Sequence, residues 1–211
     1  MFGGLTILAA IAAIGAVAVL FEARKNLAEV SKYCTVGLVI ALIDFVTEYA
    51  GTTFAGWQYN QSVYMIARLV PIELVILFFS AGIILRATYL YLTTKKSPAH
   101  LDVLLYLTMG FAIVMYVWDL WAHKNTVMLT FAAPFGLWGI LNVSEHRRNW
   151  AVIIALIVGG IDFVIETFLV QYSGNYGYAM GFSLLIPFSY AFITLGLIGI
   201  IERLNSEKKS K

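Results

Sequence analysis

Six carboxylates lie inside or at the edges of long apolar runs: Asp44, Glu48, Glu73, Asp119, Asp162 and Glu166. A charged group at the centre of a membrane helix costs about 2.5–3.5 kcal/mol on the insertion scale, so each needs a local reason to be there. Asp44 and Glu48 stand four residues apart and share one helix face, as do Asp162 and Glu166. A protonated acid beside an ionised one forms a general acid–base pair. The bland alternative is that these acids hydrogen-bond between helices and hold a bundle together. Asp119, between Trp118 and Trp121, has the further option of reaching interfacial water. For Glu73 the functional reading is stronger, because Pro71 fixes the backbone at the start of its helix.

The elements that carry these acids follow from composition. Of 211 residues, 61% are hydrophobic and 12% charged. Soluble domains carry about 25% charged residues, so this chain lacks the polar surface to face water. About 20 apolar residues span a hydrocarbon core. Seven such runs are visible, near Gly3–Phe21, Tyr33–Tyr49, Val70–Leu92, Leu101–Trp121, Val127–Val143, Trp150–Val170 and Met180–Ile201. The fifth contains Pro134 and, with the second, is the shortest. No basic residue precedes the first run and Arg24 and Lys25 follow it, which reads as a retained helix rather than a cleavable signal. Arg24, Lys25, Lys32, Lys95, Lys96, Arg147, Arg148, Arg203, Lys208, Lys209 and Lys211 mark the connections after runs one, three and five and the tail, whereas the other connections hold Arg68 and Lys124. The positive-inside rule then puts the N-terminus outside and the C-terminus in the cytoplasm of a multi-pass cell-membrane protein. Arg86, near the cytoplasmic end of the third run, is expected to snorkel to the interface.

An internal repeat organises the runs. Ile43-Asp44-Phe45-Val46-Thr47-Glu48 recurs as Ile161-Asp162-Phe163-Val164-Ile165-Glu166. Glu22-Ala23-Arg24-Lys25 and Glu145-His146-Arg147-Arg148 precede the copies; Gly56-Trp57-Gln58-Tyr59 and Gly174-Asn175-Tyr176-Gly177-Tyr178 follow them. Val70-Pro71-Ile72-Glu73 then matches Ile186-Pro187-Phe188-Ser189. The expected fold is therefore all-α: a polytopic membrane protein of seven transmembrane helices, as two parallel three-helix repeats (1–93 and 126–211) joined by a linking helix in 94–125. All six acids then fall in one outer depth band and can converge on a central cavity.

Other chemistries are unpromising. Cys34 is the one cysteine, so it makes no intramolecular disulfide, and it reads as a small apolar residue. His100, His123 and His146 are assigned to different sides, so no metal site is expected. The glycines form no phosphate-cradling loop, and Met180–Ile201 has no lysine for a retinal Schiff base. No nucleic-acid partner is expected of this chain, and its oligomeric state is left open.

The segments Gly56-Trp57-Gln58-Tyr59-Asn60 and Val70-Pro71-Ile72-Glu73-Leu74, with Phe78-Phe79, resemble the small-membrane-protein type of lycopene cyclase, and the tandem halves resemble its fused archaeal and fungal form. Leu74 stands where that family carries a second acid, and Ser189 and Tyr190 replace both acids in the second half. The resemblance implies cofactor-independent acid–base chemistry on a long apolar isoprenoid. Glu73 would handle the proton, and Asp44, Glu48, Asp162 and Glu166 would stabilise cationic charge or relay protons. Trp57 and Tyr59 would offer aromatic faces to a cation, with Pro71 and Asp119 also lining the substrate. A related hydratase, a small proton- or cation-coupled transporter, and a non-catalytic relative that binds a lipid or a partner protein are the alternatives.

Overall fold

A computed structural model describes residues 4–53, 57–59, 64–95, 127–167, 176–178 and 185–206. Among them run helices α1 (Gly4–Ala23), α2 (Leu27–Thr53), α3 (Ile72–Leu92), α4 (Val127–Asn142), α5 (Glu145–Thr167) and α6 (Leu185–Ser206). Five of these, all but α4, are long and apolar enough to cross a membrane. The protein is an all-helical membrane protein to this extent. The fourth apolar run, Leu101–Trp121, lies outside the described residues and takes Asp119 with it.

Polar capping, not hydropathy, sets the helix starts. Asn26 Oδ1 accepts the Glu29 amide at 3.3 Å, so α2 begins six residues before the apolar run that predicts it. Just upstream, the Arg24 guanidinium donates to the Phe21 carbonyl and lies 3.5 Å over the Phe21 ring, closing off α1. At the start of α5 the Ser144 carbonyl accepts the Arg147 amide at 2.9 Å, while Arg148 Nε donates to the Val143 carbonyl at 3.2 Å.

The chain divides into two compact units, residues 1–88 with 166–182, and residues 89–165 with 183–211. In the first, glycines let helices meet backbone to backbone. A Cβ on Gly82 of α3 would lie 2.7 Å from the Gly37 Cα of α2, too close for any side chain. In the second unit, a Cβ on Gly199 of α6 would lie 2.6 Å from the Gly139 Cα of α4. The faces turned away from these contacts are greasy. Ile7, Ile11, Ile14, Val17 and Phe21 of α1 are all exposed, and α1 buries only Leu5, Ala9 and Ala16. Leu38, Leu42, Val46 and Tyr49 make a similar exposed stripe along α2. Apolar stripes of this size facing outward fit lipid and not water.

Two short strand pairs complete the first unit. β1 (Trp57–Tyr59) pairs antiparallel with β4 (Tyr176–Tyr178), matching Trp57 to Tyr178, Gln58 to Gly177 and Tyr59 to Tyr176. β2 (Met65–Ile66) and β3 (Val70–Pro71) form a small hairpin directly ahead of α3.

Arg86 corrects the sequence reading. It does not snorkel: its side chain is fully buried, ion-paired with Glu29 at 2.8 Å, and its guanidinium carbon sits 4.2 Å from the Tyr33 ring centroid. A carboxylate and an aromatic face on α2 meet the charge inside the packed helices.

Candidate functional site

The acids at matched positions of α2 and α5 owe their burial to helical spacing. Asp44 and Glu48 lie one turn apart on the inward face of α2, opposite the stripe of Leu38, Leu42 and Val46. They are 5% and 6% exposed, and Glu166, at the end of α5, is 8% exposed. Asp162, one turn earlier on α5, is half-buried. It belongs to the second unit, whereas Glu166 belongs to the first together with Asp44, Glu48 and Glu73.

Tyr59 ties the first of these acids to the loop strand. β1 carries its ring back over the end of α2, where the phenol donates a short hydrogen bond to Glu48 Oε2. Burial comes first in raising the Tyr59 pKa well above the ordinary phenol value of 10.0, followed by the negative charge of Glu48 and its hydrogen bond, then Asp44 and Glu166. The hydroxyl thus stays protonated and remains a donor throughout the physiological range. Three acids that act on one phenol share one neighbourhood. Among the described residues, however, no three His, Cys, Asp or Glu side chains are grouped so as to hold a metal ion.

A pH dependence follows. The unfolded chain ionises Tyr59 near about pH 10, whereas the folded chain holds the proton to higher pH. The contribution of this group to stability is complete below about pH 10 and declines as pH rises past it. Thermal unfolding in detergent at about pH 8 and about pH 11 should show a larger loss for the wild type than for Tyr59→Phe. Equal losses would show that Tyr59 is not the responsible group.

Glu73 is positioned by a strained hairpin. Ala67 and Arg68 adopt φ of 51° and 63°, a left-handed conformation that costs non-glycine residues roughly 1–2 kcal/mol each. This turn joins β2 to β3, the Leu69 amide donates to the Ile66 carbonyl at 3.1 Å, and the Ile72 amide donates to the Tyr64 carbonyl at 3.0 Å. The hairpin and the buried Pro71 together fix where α3 begins. Glu73, in its first turn, is 6% exposed and accepts a hydrogen bond from the Thr6 hydroxyl of α1 at 3.4 Å. Leu74 beside it is a buried core residue. At the matched place in α6, Ser189 is fully buried and Tyr190 half-buried, with no carboxylate at either position.

Sequence reasoning picked out Asp44, Glu48, Glu73 and Glu166, and all four are buried in one unit. It singled out the aromatic face of Tyr59, and the structure adds that the hydroxyl of this residue is bonded to Glu48. Trp57 stands in β1 across from Tyr178. Thr6 was missed; as the one hydroxyl residue of α1 it offered a signal. No family model, curated protein or solved structure matches this chain.

Proposed function

We propose that this protein is a membrane-embedded enzyme that modifies a long isoprenoid, of the lycopene cyclase type, through carboxylate acid–base chemistry. The observation that carries the reading is a set of buried acids in one apolar unit, with Glu48 bound to a phenol that keeps its proton. Charge inside an apolar bundle is expensive, and acids kept there are functional by default. In the proposed reaction Glu73 gives a proton to one carbon of a terminal double bond. The resulting tertiary cation takes the electron pair of the next double bond and closes a ring. Loss of a proton from the adjacent carbon to a carboxylate restores a double bond, so the product is an isomer of the substrate. The carboxylates of Asp44, Glu48 and Glu166, which share a unit with Glu73, would stabilise the cation by proximity, a preorganised electrostatic role.

The proposal includes seven transmembrane helices in two parallel three-helix repeats, with the N-terminus outside and the C-terminus in the cytoplasm. The β1–β4 pair supports it. Aligning Trp57-Gln58-Tyr59 with Tyr176-Gly177-Tyr178 makes Gln58 and Gly177 equivalent, and these two are opposite each other at the centre of the pair. Trp57 faces Tyr178, the counterpart of Tyr59, and Tyr59 faces Tyr176, the counterpart of Trp57. That is the pattern a twofold axis imposes on two equal segments.

The test is pigment analysis of lycopene-producing bacterial cells that express the wild type or Glu73→Gln. Cyclic or hydrated carotenoids from the wild type, absent with the variant, are the expected result. Unchanged lycopene beside folded, membrane-inserted protein would overturn the carotenoid reading. One observation favours a second reading, a small proton- or cation-coupled transporter. The buried Glu29–Arg86 pair lies in the same unit as the acids, and Arg86 stands about 20 Å along α3 from Glu73. Ionisable groups thus occur at both ends of that helix, as a conduction path requires. Proton uptake by proteoliposomes in the absence of any carotenoid product would select it.

A further inference from the structure

Each unit contains an ion pair between its second and third helices. In the first, Glu29 of α2 meets Arg86 of α3 at 2.8 Å. In the second, Arg147 of α5 meets Glu202 of α6 at 3.0 Å, and the hydroxyl of Tyr89, in the last turn of α3, donates to the same carboxylate at 2.7 Å. These pairs occupy matched positions of the repeat. The sequence interval that separates Ile43 from Ile161 also separates Glu29 from Arg147. The interval from Pro71 to Pro187 also separates Arg86 from Glu202. The same bridge is thus built twice with its charges exchanged.

We infer that this exchange is a pairing code, by which α2 takes α3 as its ion-pair partner in preference to α6, and α5 takes α6 in preference to α3. Two repeats that insert into a membrane in the same orientation present near-equivalent helix faces, so a second helix can dock on the wrong third helix. Their lipid-facing surfaces are equally apolar and offer no discrimination. The charges do. If α2 docked on α6, Glu29 would face Glu202; if α5 docked on α3, Arg147 would face Arg86. Both errors bring like charges together where little water screens them, and rejection of wrong partners by such juxtaposition is a general route to specificity. Had the two bridges the same polarity, correct and crossed pairings would be equally attractive. Arg86 is fully buried and the Glu202 side chain 13% exposed, so each crossed pairing sets one poorly hydrated charge against a like charge that is 25% or 32% exposed.

The inference rests on the parallel repeat and is independent of any enzymatic reading. Three variants of the full chain test it, each keeping both native bridges attractive and the number of basic residues constant. The first is Glu29→Arg with Arg86→Glu, the second Arg147→Glu with Glu202→Arg, and the third combines all four changes. In the first two, both repeats carry one polarity and crossed pairing becomes attractive; in the third, the exchange is restored. Monodisperse, protease-resistant protein extracted from membranes should fall several-fold in the first two and return to near the wild-type level in the third. Equal yields in all four proteins would overturn the code, as would a third variant no better than the first two. The repeat itself is tested separately by Lys25→Cys and Glu145→Cys, each in a Cys34→Ser background. An impermeant thiol reagent should reach both from the same side of the membrane. Labelling from opposite sides would reject the parallel repeat and not merely the code.

Discussion

Glu29→Ala is expected to destabilise the protein by about 3–5 kcal/mol, and by more than Arg86→Met does, although the two residues form one bridge. The asymmetry follows from exposure. The Arg86 side chain is fully buried, whereas that of Glu29 is 25% exposed. Loss of Glu29 deprives a buried guanidinium of a carboxylate at 2.8 Å, which the cation–π contact with the Tyr33 ring does not match in strength. Loss of Arg86 leaves an anion that already touches the surface and can recover hydration. Replacing both residues by Met removes the charges together, and such apolar replacements of buried pairs are often close to neutral. Thermal unfolding of the three variants in detergent gives the ranking. A double variant as unstable as Glu29→Ala would show that the loss comes from packing and not from an orphaned charge.

What was legible in the sequence is what periodicity encodes. The four-residue spacing of Asp44 and Glu48 puts both on one face of α2, and both are buried, with exposed leucines and valine on the opposite face. Pro71 announces the start of α3, within one residue of where it lies. Contacts between elements distant in the chain were not legible. Nothing in the motif around Trp57 requires β1 to pair with β4, or the Tyr59 phenol to turn back onto Glu48. The left-handed turn at Ala67 and Arg68 carries no glycine to signal it. Arg86 was misread for a related reason. Hydropathy treats a lone basic residue near a helix end as a charge seeking water. The carboxylate that holds it is far away in sequence, on α2, and hydropathy does not connect the two. The start of α2 was misplaced because Asn26 caps the helix upstream of the first apolar residue, and hydropathy is blind to caps.

Glu48→Gln is expected to cost roughly 10²–10⁴-fold in product formation while leaving the fold intact, the range usual for loss of a general acid or base. The substitution is nearly isosteric, and the amide oxygen still accepts the Tyr59 hydrogen bond, so β1 stays fastened to α2. What disappears is a negative charge beside the acids Asp44 and Glu166, which with Glu48 act on the same phenol. An amide neither stabilises a cation as a carboxylate does nor takes up its proton. Tyr59→Phe separates position from charge, because it retains the carboxylate and removes a donor. One hydrogen bond to a charged group is worth about 1.5–3 kcal/mol, so the loss should be about ten- to a hundredfold, with a lower unfolding temperature. Pigment yield at matched protein level, read beside thermal unfolding, distinguishes the two variants. The expected pattern is Glu48→Gln stable and inactive, and Tyr59→Phe less stable and partly active. Full activity in a stable Glu48→Gln protein would move the chemistry away from α2, leaving its acids to hold the helices together and the proton to Glu73 alone.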